Sequence, residues 1–291
     1  MPITSPALSL AIEALFGSIK PTVDVLRKIG ATDFSADAPT VDIKPGATIK
    51  IPVSTIAAAG EYNPASNNYL TGGNTDWATL SATHFLQGYD ISGEDIDKGV
   101  NASRMRQLFA IRAGGGVSAA MANTVADALD GLTASTAVKL AASPTLADYI
   151  ALAADLKWLD KSRATLVCNG AELALVRAAA AAAHLAGDDD MIARYLGFGG
   201  LALVPGMTAR AVVVPESSVG FLARVPELAV DYAEAGTEVD DDSGLSIGIV
   251  VADDFAKNRR VVNADLWFGT TVLPANAAAT TPGAIKVGTA S

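Results

Sequence analysis

The sequence predicts an α+β fold, and three of its segments support that prediction. In residues 48–53, Ile49, Ile51 and Val53 alternate with other residues, and this period of two is typical of a strand. Residues 102–132 predict one long helix, because apolar residues recur three and four positions apart in its second half. Residues 145–235 alternate helical and strand-like runs, which indicates a mixed subdomain of its own.

The composition limits the classes of function open to this chain. Its 291 residues suffice for one large domain or two ordinary ones, and 50% of them are hydrophobic. Only 18% are charged, below the roughly 25% of typical soluble domains, which favours surfaces buried against other molecules. The net charge of -10 argues against sequence-specific DNA binding by the whole chain, since such binding draws its affinity from clustered Lys and Arg.

Cysteine usage and the absence of targeting signals narrow the classes further. The single cysteine, Cys168, excludes an intramolecular disulfide and any cysteine-cluster metal site. The first residues lack a signal-peptide pattern, and no apolar run reaches the roughly 18 residues of a membrane span. We therefore expect a soluble intracellular product that needs no cofactor.

The strand at residues 48–53 predicts a long hairpin. Its expected partner lies in residues 80–92, and the intervening residues 57–78 are rich in Asn, Gly and Thr. A connection of that length is unusual within a compact domain and usually has a function. Because an isolated hairpin is only marginally stable in water, we expect this one to rest on a neighbouring subunit.

The predicted helix over residues 102–132 would be roughly 45 Å long at about 1.5 Å per residue. Its apolar stripe comprises Met121, Val125, Ala128, Leu129 and Leu132. Gly114, Gly115 and Gly116 interrupt the pattern, and each glycine costs about 1 kcal/mol relative to alanine. Three together predict a bend or the close approach of another backbone.

The remaining segments predict shorter elements. Residues 1–40 contain two short apolar pieces, broken by Gly17 and Pro21. A strand at 163–168 precedes an Ala-rich helix that Asn169 and Glu172 open with capping-box spacing. An acidic first turn at 188–190 starts a further helix, and strands are expected within 201–204, 210–215, 219–225, 245–273 and 284–287.

No short motif indicates catalysis. The stretch from Gly197 to Ala202 resembles a dinucleotide fingerprint but follows a helix and precedes a strand, which is the reverse of the required order, and a helix C-cap explains it better. No P-loop and no G-x-S-x-G elbow occur. His84 and His184 fall in different predicted elements, and Cys168 closes an apolar strand as a buried thiol would.

The aspartates at 240–242 are the remaining candidate for chemistry. They fail the calcium-loop template, because Leu245 stands where the invariant glycine is needed and Val251 where the bidentate glutamate is needed. Three adjacent aspartates beside Ser-Gly favour a solvated turn, here at the junction between two subdomains. A small metal-dependent hydrolase that uses Asp240, Asp241 and Asp242 remains the alternative from another class.

Over nearly the whole chain, the order of these parts resembles the major capsid proteins of tailed bacteriophages. Four segments show the resemblance: PGATIKIPV, THFLQGYDISGEDIDKGVNASRMRQLFAIRAGGG, VVVPESSVGFLARVP and IGIVVADDFAKNRRVVNADLWFGTTVL. The fold of that family is the Hong Kong 97-type fold, which encapsulins share. An encapsulin-like compartment that holds protein cargo is therefore the alternative of the same fold.

The resemblance implies a division of the chain into parts. It implies an N-terminal arm at 1–40, an extended loop at 41–92, a peripheral domain at 93–143 with a spine helix at 102–132, an axial domain at 144–235, return strands of the peripheral domain at 236–280, and a C-terminal tail at 281–291. It further implies a structural protein without enzymatic activity. Such a protein forms pentamers and hexamers in the icosahedral head that encloses double-stranded DNA.

The resemblance also implies partners, a location and contact residues. We expect scaffolding, portal and decoration proteins as partners, and a subunit assembled in the host cytoplasm that ends in the virion. The expected subunit contacts at the tip of the extended loop are Tyr62, Asn63, Asn67, Asn68, Tyr69 and Trp77. The basic residues expected to contact DNA weakly and without specificity are Lys20, Arg27, Lys28, Arg104 and Arg106.

Overall fold

A computed structural model describes residues 6–35, 48–56, 73–92, 102–155, 163–185, 187–225, 234–239, 246–254, 259–273 and 283–289. The helices in these ranges are α1 (Pro6–Lys28), α2 (Ala102–Asp130), α3 (Leu146–Asp155), α4 (Gly170–Ala182) and α5 (Asp189–Leu196). The strands are β1 (Thr32–Asp33), β2 (Thr48–Ile56), β3 (Gly73–Ser81), β4 (Thr83–Ser92), β5 (Ala134–Leu140), β6 (Ala164–Cys168), β7 (Gly200–Leu203), β8 (Ala211–Pro215), β9 (Val219–Arg224), β10 (Glu234–Val239), β11 (Ser246–Asp254), β12 (Arg259–Val272) and β13 (Ile285–Thr289). Helices and strands are mixed along the chain, which confirms the predicted α+β class.

The larger sheet is built around the 14-residue strand β12. Its strand order is β1-β9-β12-β11-β10, and β4 also pairs with β12. The first part of β12 lies between β4 and β11, and its last residues pair with β9. Alternation along the strands gives this sheet two different faces: Leu266 and Phe268 point into a core shared with the helices, whereas Asp265 and Trp267 lie on the opposite face.

Helices α1 and α2 cover one face of this sheet. From α2, Val117, Met121, Val125 and Leu129 are buried there, so the predicted stripe is the buried face of the helix. The helix spans 29 residues and continues without a break through the three glycines. The predicted helix over residues 102–132 is therefore confirmed, to within two residues at its C-terminal end.

Helix α1 corrects the prediction of two short pieces in the first 40 residues. A single 23-residue helix continues through Gly17 and Pro21. A proline inside a helix costs about 3 kcal/mol because it removes a hydrogen bond and crowds the preceding turn. Burial of Ile19 and Leu26 against α2 and the sheet offsets this cost, and Thr22 Oγ1 lies 2.7 Å from Ser118 Oγ of α2.

The smaller sheet has five strands in the order β5-β13-β8-β6-β7. Helices α3, α4 and α5 pack on it around a second core that includes Tyr149, Leu166, Val176, Leu196 and Val213. The predicted strands at 163–168, 201–204 and 210–215 all belong to this sheet. The strand predicted near 284–287 is β13, which lies between β5 and β8 and returns the C-terminal residues to this sheet.

The hairpin differs from its prediction in the identity of its second strand. Strand β2 pairs with Gly73–Ser81, from Thr48 opposite Ser81 to Ile56 opposite Gly73, so the expected partner at 80–92 was wrong. The segment Thr83–Ser92 instead pairs with β12 in the larger sheet. The chain passes from the hairpin to the larger sheet at Ala82, a buried residue that lies between the end of β3 and the start of β4. The residues that connect the two hairpin strands are therefore 57–72.

Candidate assembly surface

The hairpin is anchored by its base on the larger sheet. Ile51 from β2 and Ala78 and Leu80 from β3 form a small buried cluster with Leu222 of β9 and Trp267 of β12. These sheet residues lie on the face opposite α1 and α2. The base of the hairpin is thus part of the packed subunit.

Gly269 of β12 allows the hairpin to approach the sheet this closely. A Cβ atom at that position would lie 2.2 Å from the carbonyl oxygen of Ser81, the last residue of β3. Only a residue without a side chain fits such a backbone crossing. The sequence contained no signal for this contact, because the two residues are far apart along the chain.

A polar pair lies beside the hairpin base. His84 of β4 stands opposite Trp267 in the strand register, and their rings stack with centroids 4.7 Å apart at an interplanar angle of 18°. The His84 Nε2 atom is hydrogen bonded to Asp265 Oδ1, and Asp265 is only 8% exposed. The sequence indicated no role for His84, because both of its partners come from a distant segment of the chain.

Most of the residues expected at the loop tip fall outside the part of the chain that the structure describes. These are Tyr62, Asn63, Asn67, Asn68 and Tyr69. Trp77 lies in β3 opposite Pro52 of β2, just beyond the anchored base, and its side chain is not among those described. Their assignment to a subunit contact stays a prediction.

Within the glycine triplet of α2, Gly116 faces β4. A Cβ atom on Gly116 would approach the side chain of Gln87 to 3.1 Å, whereas one on Gly115 would have no neighbour within 4 Å. The close neighbour is therefore a flexible side chain and not the backbone that the sequence suggested. The predicted bend at Gly114–Gly116 stays a prediction.

The basic residues of α1 have acidic neighbours. Arg27 Nη1 lies 4.0 Å from Asp24 Oδ1, and Lys28 Nζ lies 3.5 Å from Asp190 Oδ1, in pairs that are roughly half exposed. Lys20 is exposed on the same helix. The side chains of Arg104 and Arg106 lie outside the described part of the chain. The local positive charge at Arg27 and Lys28 is therefore largely balanced, and DNA contact at these positions stays a prediction.

A buried hydrogen-bond network joins the elements of the smaller sheet. Glu172 is 2% exposed, and its two carboxylate oxygens accept hydrogen bonds from Tyr149 Oη at 2.7 Å and Arg210 Nε at 2.8 Å. Burial and the adjacent Glu172 raise the pKa of the Tyr149 hydroxyl well above its usual range. Arg210 also donates to the carbonyl of Ala141 at 2.9 Å. Because each carboxylate oxygen already has a partner, the network ties helices and strands together and leaves the Glu172 carboxylate occupied.

The predicted cap of α4 is present in part. Asn169 Oδ1 accepts a hydrogen bond from the Glu172 backbone N–H at 2.8 Å, which confirms the N-cap. The Glu172 side chain enters the buried network instead of returning to the cap. The second half of the capping box is therefore replaced by a tertiary contact.

Cys168, His184 and Gly197 were the other residues considered for chemistry. Cys168 is fully buried at the end of β6, and that burial raises the pKa of its thiol, so it is a poor nucleophile. His184 is exposed just after α4, with a φ of 59°. Gly197 ends α5 in the left-handed conformation with a φ of 87°, which confirms the interpretation as a helix C-cap.

A cleft of about 590 Å³ lies between α1, α2 and β7. Its lining is mainly apolar, with Val25, Ala122 and Leu203 among its residues and Asp24 and Asp189 among the charged ones. Within the described ranges, no group of three His, Cys, Asp or Glu side chains is placed to hold a metal ion. Asp240, Asp241 and Asp242 lie outside these ranges, between the paired strands β10 and β11. None of the helices in the described ranges is long and apolar enough to cross a membrane.

Comparison with solved structures identifies this architecture. A chain from Mycobacterium phage Che8 aligns with a TM-score of 0.50 at 14% identity, covering 90% of this chain and 89% of that one. The chain has the Hong Kong 97-type fold. The sequence-level resemblance to tailed-phage capsid proteins is thus confirmed at the level of the fold.

Two further structures have similar extents of overlap. A chain described as the capsid of Ralstonia phage GP4 has a TM-score of 0.49 at 12% identity, covering 84% of this chain and 83% of that one. A chain of a virus-like particle from Pyrococcus furiosus has a TM-score of 0.49 at 8% identity, covering 94% and 95%. No family model matches the sequence, and no curated protein matches it.

Proposed function

We propose that this protein is the major capsid protein of a tailed bacteriophage, which assembles into the icosahedral shell around double-stranded DNA. The observation that carries the proposal is the Hong Kong 97-type fold, present over 90% of the chain. Because a fold can host several functions, the features of the assembly surface have to support this one independently.

The hairpin supports self-assembly. Its ladder pairs nine residues of β2 with nine of β3, a length of about 30 Å at roughly 3.4 Å per residue. Among the described strands, β2 and β3 pair only with each other. A two-stranded ribbon of this kind is marginal in water by itself, and the packing described for it on its own subunit is at its base. Contact between the distal part and a neighbouring subunit would supply the missing burial.

The composition supports a shell protein that encloses nucleic acid. The low charged fraction of 18% suits a subunit whose surface is largely covered by copies of itself. The net charge of -10 suits a container for DNA, because strong attraction to the genome would hinder its packing and release. On this proposal the protein is a non-enzymatic component of the virion that forms pentamers and hexamers. Scaffolding, portal and decoration proteins are its expected partners during assembly in the host cytoplasm.

Electron microscopy of the purified full-length chain tests the proposal. We expect closed shells, or the sheets and tubes that capsid subunits form under other conditions. Only monomers or dimers under every condition would contradict self-assembly. A calorimetric titration with calcium and magnesium tests the alternative, since tight binding to the monomer would favour a metal-dependent hydrolase that uses Asp240, Asp241 and Asp242.

The cargo separates a phage capsid from an encapsulin-like compartment. We expect shells recovered from their native host to protect double-stranded DNA against added nuclease. Shells that contain a defined protein and no protected DNA would retain self-assembly and overturn the phage assignment.

A further inference from the structure

Strand β4 forms one edge of the larger sheet. All 10 of its residues pair with β12, from Thr83 opposite Phe268 to Ser92 opposite Arg259, without a shift of register. The opposite side of β12 is occupied by β11 and β9. Among the described strands, none pairs with the far side of β4. The backbone N–H and C=O groups on that side therefore form an open edge, which is a template for pairing with another strand.

The exposure of β4 agrees with an edge position. None of the residues 83–88 is buried, whereas residues 264–268 of the neighbouring β12 are all buried. Leu86 is 57% exposed. Because Phe85 packs against the core that α1 and α2 form with the sheet, Leu86 lies on the opposite face of the sheet. An exposed apolar side chain thus accompanies the unpaired backbone groups.

The other edges among the described strands carry features that discourage pairing. Strand β10 contains Glu234 and Glu238, β2 contains Lys50 and Pro52, and β3 has Asp76 near its centre. The edge strand β5 has an irregular register with β13, and β1 and β7 have only 2 and 4 residues. Strand β4 contains neither lysine nor proline, and its single acidic residue comes near its end. It is therefore the least protected of the described edges.

We propose that the open edge of β4 pairs with β4 of a second copy of this chain, antiparallel about a two-fold axis, so that the two larger sheets become one. Two identical edges can pair in this way because each antiparallel strand presents both the N–H donors and the C=O acceptors that the other needs. A two-fold axis uses the same surface on both subunits, so no other element has to take part.

The side chains of β4 determine the register of this pairing. A two-fold axis at Gln87 pairs residues 83–91 of both copies and places Leu86 opposite Gly88 of the partner subunit. Since glycine has no side chain, the two leucines can pack diagonally against each other over the two glycines. An axis at Gly88 would set Leu86 opposite an aspartate, and an axis at Leu86 would shorten the ladder. A second copy supplies both halves of the contact, which is why we assign this partner.

Only the use of this contact in a shell rests on the proposed function, since an icosahedral shell contains two-fold axes between its subunits. The pairing itself is a property of the folded chain and is measured in solution. A chain that forms the paired dimer but no shells would contradict the capsid proposal and retain the pairing. Shells without contact between β4 strands would do the reverse.

Disulfide cross-linking of full-length variants with copper phenanthroline tests the register. The chain has only 1 cysteine, and Cys168 is fully buried, so an introduced thiol is the reactive one. Gln87→Cys would meet its own copy with Cα atoms about 4.5–5.5 Å apart, a separation that a disulfide can span.

Thr83→Cys is the matched control, because it lies on the same face of the same strand as position 87. In the proposed register it would be roughly 27 Å from its copy, at about 3.4 Å for each residue of offset. We expect Gln87→Cys to form covalent dimers at least about tenfold faster than Thr83→Cys. Equal rates in dimers and in larger assemblies would overturn the pairing. That result is expected if another segment of this chain, or another protein, covers β4.

Sedimentation equilibrium of a charged variant tests the role of Leu86. Leu86→Lys places on β4 the kind of side chain that protects natural edge strands, and it should raise the dissociation constant of the dimer at least about tenfold. Leu175→Lys is the control, because Leu175 is 40% exposed on α4 and lies outside the larger sheet. That control should leave the dissociation constant unchanged. An unchanged constant for Leu86→Lys, or a wild-type chain that stays monomeric and never cross-links through position 87, would overturn the proposal.

Discussion

At the scale of single residues, Gly269 shows how backbone contact controls the hairpin. A Cβ atom there would lie 2.2 Å from the oxygen and 2.9 Å from the carbon of the Ser81 carbonyl. Both atoms belong to the backbone, so no rotamer change can relieve the clash. The hairpin base would have to move away from Leu222 and Trp267, which form the buried cluster beneath it.

Replacing Gly269 by alanine should therefore lower the free energy of unfolding by about 1–3 kcal/mol, the usual cost of overpacking. Urea denaturation of the full-length chain measures this change. Gly115→Ala is the matched control, because it adds the same methyl group to an exposed helix position with nothing within 4 Å. That control should stabilise the chain by up to about 1 kcal/mol. Equal effects of the two substitutions would contradict the assigned contact.

Arg210 provides a second prediction, about the buried network of the smaller sheet. Its removal would leave the 2%-exposed Glu172 carboxylate with Tyr149 as its remaining described partner. Since an unpaired buried charge is strongly unfavourable, Arg210→Ala should cost about 3 kcal/mol in urea denaturation. Arg177→Ala breaks a more exposed ion pair with Asp189 and should cost at most about 1 kcal/mol. Similar losses in both variants would argue against a special role for the buried pair.

At the scale of elements, Asp130 joins the end of α2 to the smaller sheet. Its carboxylate accepts hydrogen bonds from the backbone N–H groups of Thr208 and Ala209 at 2.8 and 2.7 Å, and its own carbonyl accepts one from Lys286 Nζ of β13. Burial works to raise the pKa of Asp130, but the two backbone N–H groups and Thr208's side chain outweigh it and leave the pKa lowered. Asp130 thus connects α2 to the segment just before β8 and to the C-terminal strand β13.

The hydrogen bonds that the Asp130 carboxylate accepts from Thr208 and Ala209 predict a pH dependence of the free energy of unfolding, with a definite sign. A carboxyl whose pKa is depressed by folding adds stability above its unfolded pKa of about 3.9, and that stability is lost as the pH falls through the folded pKa. Asp130→Asn should cost about 1–2 kcal/mol at neutral pH. The difference from the wild-type chain should shrink as the pH is lowered below about 4. Urea denaturation at several pH values measures the cost of the substitution and its pH dependence. A difference that stays constant with pH would contradict the role assigned to the Asp130 carboxylate.

Comparison of the observed helices and strands with the predicted ones shows which of them the local sequence pattern could predict. The stripe on α2 and the largely apolar run of β6 have strong local patterns, and both were predicted correctly. Strands β5 and β10 were missed, because segments such as EAGTEV have no alternation of apolar residues and become strands through their pairing partners. In α1, local helix breakers were overridden by burial of Ile19 and Leu26 against distant residues.

Of the candidate site, only the parts formed by residues close together in the sequence could be predicted. The hairpin itself follows from its strand pattern and its polar tip. Its anchor does not, because Leu222, Trp267 and Gly269 come from segments far along the chain. His84 and Asp265 are separated by 181 positions, and no spacing rule connects residues at that distance. The error in the second hairpin strand has the same origin, since only tertiary pairing shows that β4 belongs to β12.

At the scale of the whole molecule, the buried clusters of the described ranges separate the two main cores from the base of the hairpin. Two of them unite the helices with the two sheets, and the third joins the hairpin base to the larger sheet. Loss of the distal hairpin should therefore leave both main cores intact. The subunit would then fold normally while lacking the element that we propose contacts a neighbouring subunit.

Replacing residues 57–72 by Asn-Gly provides a sharp test of this division. Ile56 stands opposite Gly73 in the ladder, so a two-residue turn can close the hairpin without changing its register. We expect a free energy of unfolding no lower than the wild-type value and up to about 2 kcal/mol above it, because each halving of the length of a connection lowers its closure cost by about 0.6 kcal/mol. Electron microscopy and sedimentation should nevertheless show dispersed subunits under conditions in which the wild-type chain forms shells. Normal shells from the folded variant would show that residues 57–72 are dispensable for assembly, and would refute the role proposed for the hairpin tip.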